Sequence, residues 1–145
     1  MSGSLPVRRL DPRAKLPTRA YPDDAGLDLH ALEDAELGPG ERGSIRTGIA
    51  VAIPAGHAGL VLPRSGLAMR HGITLVNAPG LIDAGYRGEV QVLLLNTDRQ
   101  ASFKLGAGER IAQLVLVRVE TPGVQEVEEF AISPHRISGF ASSGA

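Results

Sequence analysis

Three short stretches hold residue types that chemistry uses. In "PGLIDAGYRGE" (79–89) a carboxylate, Asp83, follows two large apolar residues and precedes a turn of Gly85, Tyr86, Arg87 and Gly88. In "PRSGLAM" (63–69) Pro63 closes an apolar run, and Arg64, Ser65 and Gly66 stand where a short helix would open. Amides at a helix start lack intrahelical partners, so with a hydroxyl and a guanidinium alongside they favour an anion. The plainer reading is a Ser N-cap. In "DDAGLDLHA" (23–31) Asp28 interrupts a strand-like run between Leu27 and Leu29. Aspartate is disfavoured in strands. Facing inward, it needs an Arg, a metal or metal-bound water as partner; facing outward, it signifies little. Taken together, an Arg-Ser-Gly cradle and two carboxylates suit phosphate chemistry, which needs charge neutralisation, usually by Mg²⁺, and a base on water.

Other patterns fall away. "GPGERG" (38–43) matches G-x-G-x-x-G, but Pro39 removes an amide and a strand-like run follows where a helix is required. It reads as a turn. His30, His57, His71 and His135 lack metal-ligand spacing. There is no G-x-S-x-G elbow and no Walker-type phosphate loop. Gln113 in "GERIAQL" (108–114) breaks an apolar strand and by itself reads as a solvent-facing residue.

The elements that must position these residues are short. Eighteen Gly and ten Pro punctuate apolar runs such as "AGLVLP", "GITLVN" and "RIAQLVLVRVE". Several runs alternate with period two, and Ile45, Thr47, Ile49, Val51 and Ile53 are predicted to share one face of a strand. "PGLIDAGYRGEVQVLLLN" (79–96) reads mostly as an arm of a β-hairpin, with Val90, Val92 and Leu94 alternating with Glu89, Gln91 and Leu93. Only "SGLAMRHG" (65–72) suggests a turn or two of helix. Many short strands between turn signals predict an all-β sandwich, jelly roll or barrel. "GVQEVEEF" (123–130) is expected as a last strand, and "AISPHRISGFASSGA" as a mobile tail.

Composition sets the outer limits. At 145 residues, with 43% hydrophobic and 21% charged residues, the chain suits one domain with a real core. Fifteen basic residues against sixteen acidic give a net charge of −1. That balance argues against a nucleic-acid or membrane-surface partner. Without cysteine there is no disulfide, zinc-thiolate site or thiol nucleophile. No apolar leader or run of 18 apolar residues occurs, so a soluble, cytoplasmic protein is expected.

Five blocks in order, "AGLDL" (25–29), "PRSGLA" (63–68), "NAPGLIDAGYRGE" (77–89), "GERIAQL" (108–114) and "RISGFASSG" (136–144), resemble the motifs of the trimeric dUTPase family. The likeness runs over nearly the whole chain. It implies a jelly-roll-like, distorted β-barrel over residues 1–133 with a mobile lid segment over 134–145. It also implies a homotrimer whose active sites are shared between subunits. The implied reaction is Mg²⁺-dependent hydrolysis of dUTP to dUMP and pyrophosphate, which limits uracil incorporation into DNA and supplies dUMP for dTMP synthesis.

By the same resemblance Asp83 would be the general base on the attacking water. Asn77 and the main chain of Leu81 and Ile82 would read uracil, and Tyr86 would stack under the sugar. Arg64, Ser65, Gly66 and Gln113 would bind the phosphates, and Asp28 would hold Mg²⁺ through water. Arg87 and Arg110 would serve ion pairs between or within subunits. In the tail, Phe140 would cover the uracil ring, Arg136 the γ-phosphate, and Ser142, Ser143 and Gly144 the phosphates. The tail departs from the family pattern. Arg136 stands four residues before Phe140 rather than five, His135 occupies the matching place, and Ile137, Ala141 and Ser143 replace two glycines and a threonine. Two other functions stay open at this level: a dCTP deaminase, alone or combined with dUTP hydrolysis, and a non-catalytic nucleotide-binding regulator on the same fold.

Overall fold

The computed structural model describes residues 3–132. The tail residues Arg136, Phe140, Ser142, Ser143 and Gly144 lie outside them, as does the lid segment. Eleven strands and one helix follow in chain order: β1 (Val7–Arg9), β2 (Leu27–His30), β3 (Ala35–Leu37), β4 (Arg42–Arg46), β5 (Ile49–Val51), β6 (His57–Leu62), α1 (Ser65–His71), β7 (Ile73–Leu75), β8 (Gly80–Ile82), β9 (Gln91–Asn96), β10 (Phe103–Leu105) and β11 (Arg110–Arg118). They form four antiparallel sheets, ordered β2-β11-β6-β8, β4-β9-β7, β1-β5 and β10-β3. The all-β expectation holds. The barrel does not close among the described residues, because the strands divide into these separate sheets.

The core lies between the sheets. Leu29, Ile49, Ile53, Ile73, Val92, Leu94, Ile111 and Leu114 are all but fully buried, and each such side chain contributes about 1.5–3 kcal/mol. Two buried polar residues are tied to main chain. The Asn96 amide donates to the carbonyls of Leu37 (3.0 Å) and Ala101 (2.9 Å), while its Oδ1 accepts from the Asp98 amide at 2.9 Å. The Thr47 hydroxyl donates to the Val90 carbonyl at 2.5 Å. Unpaired, such groups would each cost about 1–3 kcal/mol.

Three expectations about elements change. Ile45, Thr47, Ile49, Val51 and Ile53 do all face inward, but they do not share a strand. Gly48, at φ 72°, turns the chain between β4 and β5, and a Cβ there would lie 2.9 Å from both Ala14 and Leu32. In 79–96 the alternation is right and the hairpin is not. β8 pairs with β6 and β9 pairs with β4 and β7, so the intervening turn carries the chain from one sheet to another. "GVQEVEEF" forms no strand. Val124, Phe130 and Ile132 stand more than nine-tenths exposed, since no edge among the described residues pairs with this segment. Among the described residues no helix is long and apolar enough to cross a membrane.

Candidate functional site

Strand register gathers the first group of residues. β11 is the longest strand and pairs β2 on one side and β6 on the other. Gln113 lies opposite Asp28 in β2 and opposite Leu62 in β6, so three chains present neighbouring positions in one row. Just past Leu62 the Pro63 carbonyl accepts from Gln113 Nε2 at 3.1 Å. The expectation that Gln113 merely faces solvent is therefore corrected: it is half-buried and fixed. Gly26 lies so close to Gln113 Oε1 that a side chain there would displace the amide.

A register shift in β11 adds Arg110. The pairing steps from Arg110–His30 to Ala112–Leu29, leaving Ile111 as the extra residue of a bulge. In a regular strand, residues three apart point to opposite faces. The bulge turns Arg110 and Gln113 to the same hollow, while Ile111 and Ala112 both bury. Arg110 Nη1 lies 3.7 Å from Asp28 Oδ2, and Arg64 Nε lies 3.6 Å from Asp28 Oδ1. Both arginines hold the carboxylate at ionic range and outside good hydrogen-bond range. Next to them, His30 is buried with Nδ1 unpartnered; burial first, then Lys15, depresses its pKa.

Ser65 and Gly66 complete this hollow with Asp28, Arg64, Arg110 and Gln113. The plain N-cap reading of Ser65 does not hold. The cap position belongs to Arg64, at φ −91° and ψ 129°, and no side chain caps the helix. The Ser65 hydroxyl is thus not consumed as a cap. Asp24 also lines the hollow, but its Oδ2 accepts from the Tyr21 amide at 3.1 Å.

A second hollow lies at the other end of the same sheet, against its edge strand β8. From β2 to β8 is three strand spacings, about 14 Å. Val61, Leu75 and Val90 make its apolar floor, and Asn77, Leu81, Ile82, Asp83 and Tyr86 line it. Among the described residues β8 is an edge strand, with one main-chain edge unpaired. Ile82 is buried while the Leu81 side chain is exposed.

The turn after β8 displays its functional groups. Asp83 is exposed, and its carboxylate has no hydrogen bond or ion pair among the described residues. Tyr86 is no core tyrosine: it is 45% exposed, with its hydroxyl donating to the Glu89 carbonyl at 2.9 Å. Its ring lies over Gly88, where a Cβ would come within 2.5 Å of the hydroxyl. Among the described residues Arg87 makes no ion pair within the chain; Nη1 donates to the carbonyls of Ala84 (2.6 Å) and Tyr86 (3.1 Å), bracing the turn.

The two hollows share no lining residue. Ten sequence-predicted site residues are described; five line one hollow and five the other. Sequence reasoning assigned no site role to Gln91 or Gly26, and gave Arg110 only an ion pair. The consecutive apolar "IA" in "GERIAQL" was the available signal of the bulge that brings Arg110 in.

Among the described residues no group of three His, Cys, Asp or Glu is placed to hold a metal. Asp28 is the carboxylate that faces the first hollow without a main-chain partner. Magnesium is commonly held by one or two carboxylates together with substrate phosphates and retained waters. The donor set fits a magnesium ion that arrives on a phosphate chain.

The dUTPase family profile matches residues 12–144. The chain is 56% identical over 138 residues to the deoxyuridine 5'-triphosphate nucleotidohydrolase of Thermobifida fusca (strain YX), covering 95% of this chain and 77% of that protein. It is 52% identical over 149 aligned positions to the protein of the same name from Mycolicibacterium gilvum (strain PYR-GCK), covering 99% and 97%. Among solved structures, the Staphylococcus bacteriophage 80alpha dUTPase with dUpNHpp superposes with a TM-score of 0.88 at 33% identity, covering 99% of this chain and 100% of that one. A mutant dUTPase from phage phi11 of S. aureus, described with a coordinated structural Mg(II) ion, gives a TM-score of 0.82 at 31% identity, covering 88% and 99%.

Proposed function

Because the chain belongs to the dUTPase family and hydrolyses dUTP, we propose that its two hollows divide the substrate, one taking the deoxyuridine and the other the triphosphate. The observation that carries this division is the sorting itself. Every described residue expected on base, sugar or attacking water lines the β8 hollow, and every one expected on phosphate or metal lines the β2–β11 hollow.

In the β8 hollow, uracil presents an acceptor–donor–acceptor edge. Asn77 and main-chain groups of Leu81 and Ile82 supply complementary groups, whereas cytosine would leave them unmatched. Tyr86 lies flat against the sugar and leaves no room for a ribose 2′-hydroxyl; Gly88 is what lets the ring lie so low. Asp83, with no competing partner, orients a water toward the α-phosphorus and takes its proton. The water oxygen bonds to that phosphorus, the bond to the bridging oxygen breaks, and dUMP and pyrophosphate leave.

In the β2–β11 hollow, Arg64, Ser65, Gly66 and Gln113 hold the phosphate chain. One Gln113 amide hydrogen is committed to Pro63, and the other is left for a phosphate oxygen. A magnesium ion held here would supply charge neutralisation for the leaving group. Asp28 would hold it through water, with the flanking arginines 3.6 and 3.7 Å from its carboxylate. Arg136, Phe140, Ser142, Ser143 and Gly144 of the tail close over the nucleotide.

The jelly-roll-like domain acts as a cytoplasmic homotrimer in which the β8 hollow of one subunit faces the phosphate hollow of another. Two observations support this: the hollows share no residue, and the exposed Val124, Phe130 and Ile132 ask for cover that the described residues do not give. Mixed trimers test it. Asp83→Asn and Arg64→Ala homotrimers should each be nearly inactive, and unfolding and refolding them together should restore a substantial share of activity. A mixture no more active than its parents would mean that each chain completes its own site. Pyrophosphate release from dUTP, with no ammonia from dCTP, separates the hydrolase from a deaminase and from a binding-only regulator.

A further inference from the structure

The turn from Asp83 to Gly88 braces itself but grips little else. Among the described residues its hydrogen bonds are internal, Tyr86 N to Asp83 O at 3.1 Å and the two from Arg87, apart from that of Tyr86 to Glu89. A self-braced turn moves as one body, so its orientation depends on its two attachments. One is the pairing of β8 with β6. The other is Glu89.

Glu89 is seized at both ends. Its carboxylate accepts from Arg46 Nε, at 3.2 Å to Oε1 and 3.1 Å to Oε2, and from the Gly48 amide at 2.9 Å. Its main-chain carbonyl accepts from the Tyr86 hydroxyl. The corner that holds the carboxylate is itself stiff. Gly48 has no room for a Cβ beside Ala14 and Leu32, the Thr47 hydroxyl donates to the Val90 carbonyl, and the Val90 amide donates to the Ile49 carbonyl at 2.8 Å. The Glu89 side chain is 15% exposed, too shielded for an incidental surface contact.

We propose that Glu89, held by Arg46 and the Gly48 amide, is a positioning residue that sets the height of the Tyr86 ring and so the preference for deoxyribose over ribose. This rests on the reading of Tyr86 as the wall against the sugar. Glu89 touches no reacting atom. It links the β4–β5 corner to the tyrosine, and loosening that link lets the self-braced turn tilt and admit a 2′-hydroxyl.

The experiment compares kcat/KM for dUTP and UTP, with Mg²⁺, in Glu89→Ala, Glu89→Gln, Arg46→Ala, Arg46→Lys and Tyr86→Ala. Glu89→Ala should narrow the dUTP-over-UTP preference by about tenfold, mainly through a higher kcat/KM for UTP as the tilted ring admits the 2′-hydroxyl. Glu89→Gln keeps the Gly48 contact and should lose less. Arg46→Lys should recover part of what Arg46→Ala loses. A preference unchanged in both Glu89 variants, even with a lower Tm, overturns the proposal. Arg46→Ala leaves the Gly48 contact in place and reads the same ratio should Glu89→Ala fail to fold. Tyr86→Ala separates the two readings: if it leaves the preference intact, the sugar wall itself is wrong, and if it alone relaxes the preference, only the clamp is.

Discussion

Three aspartates meet three different surroundings in this fold, and the contrast shows which carboxylates are left for chemistry. Asp11 is bonded out: it accepts from Arg13 Nε at 3.1 Å, from Arg13 Nη2 at 2.9 Å and from the Arg13 amide at 2.8 Å. Asp28 also faces two arginines, but at 3.6 and 3.7 Å, where charge is balanced and lone pairs stay open. Asp83 has no side-chain partner at all among the described residues. Arginine beside a carboxylate therefore does not make a structural pair; distance and geometry decide. The phosphate hollow is a place where opposite charges are assembled and left incompletely satisfied. In the β8 hollow a single charge is exposed on a turn that other groups hold still.

The largest effect should come from the unpartnered carboxylate. Asp83→Asn keeps size and polarity but cannot take a proton, so kcat for dUTP should fall by about 10²–10⁴-fold. Affinity for a non-hydrolysable dUTP analogue, measured by calorimetry, should stay within about tenfold of wild type, since the positioning groups remain. A variant with near-normal kcat would erase the distinction between Asp83 and the other two. Next comes Asp28→Asn, which leaves Arg64 and Arg110 without their shared counter-charge. Holding a metal through water is an outer-shell task, and its loss typically costs about 10–100-fold. The loss should appear as a higher Mg²⁺ requirement in an activity titration. If activity and Mg²⁺ dependence both stay normal, Asp28 is simply a longer-range version of Asp11.

Much of this arrangement was legible in the sequence because its signals are local. Strand alternation correctly put Val90, Val92 and Leu94 inside, and the blocks around Asp28, Arg64 and Asp83 pointed to phosphate chemistry. Non-local features were not legible. A hairpin and a sheet-crossing turn share the same alternation, so β8 and β9 read as partners although they belong to different sheets. The Arg46–Glu89 contact spans 43 positions and depends on a left-handed Gly48 that no periodicity reports. Arg110 became a wall of the phosphate hollow only through a bulge. Residues 123–130 have strand-forming composition but, among the described residues, no edge to pair with, and propensity without a partner makes no strand.

The smallest effect belongs to the carboxylate already bonded out, and it is one of pH. Hydrogen bonds from the Arg13 side chain and amide lower the Asp11 pKa from 3.8 to about 2. A folded-state value below the unfolded one means that the unfolded chain binds the proton more readily. The Asp11 contribution to stability is therefore complete above the unfolded value near 3.8 and is lost as pH falls through about 2. Asp11→Asn removes that contribution, so the urea midpoints of wild type and variant should differ slightly and constantly from pH 7 down to about 4. Below that the gap should close. Arg13 is 59% exposed, so solvent screens the pair and the gap stays small, with kcat for dUTP unaltered. A gap that widened in acid would reverse the sign. A variant with impaired turnover would place Asp11 among the working carboxylates, collapsing the distinction between a carboxylate satisfied by its arginine and one held short of it.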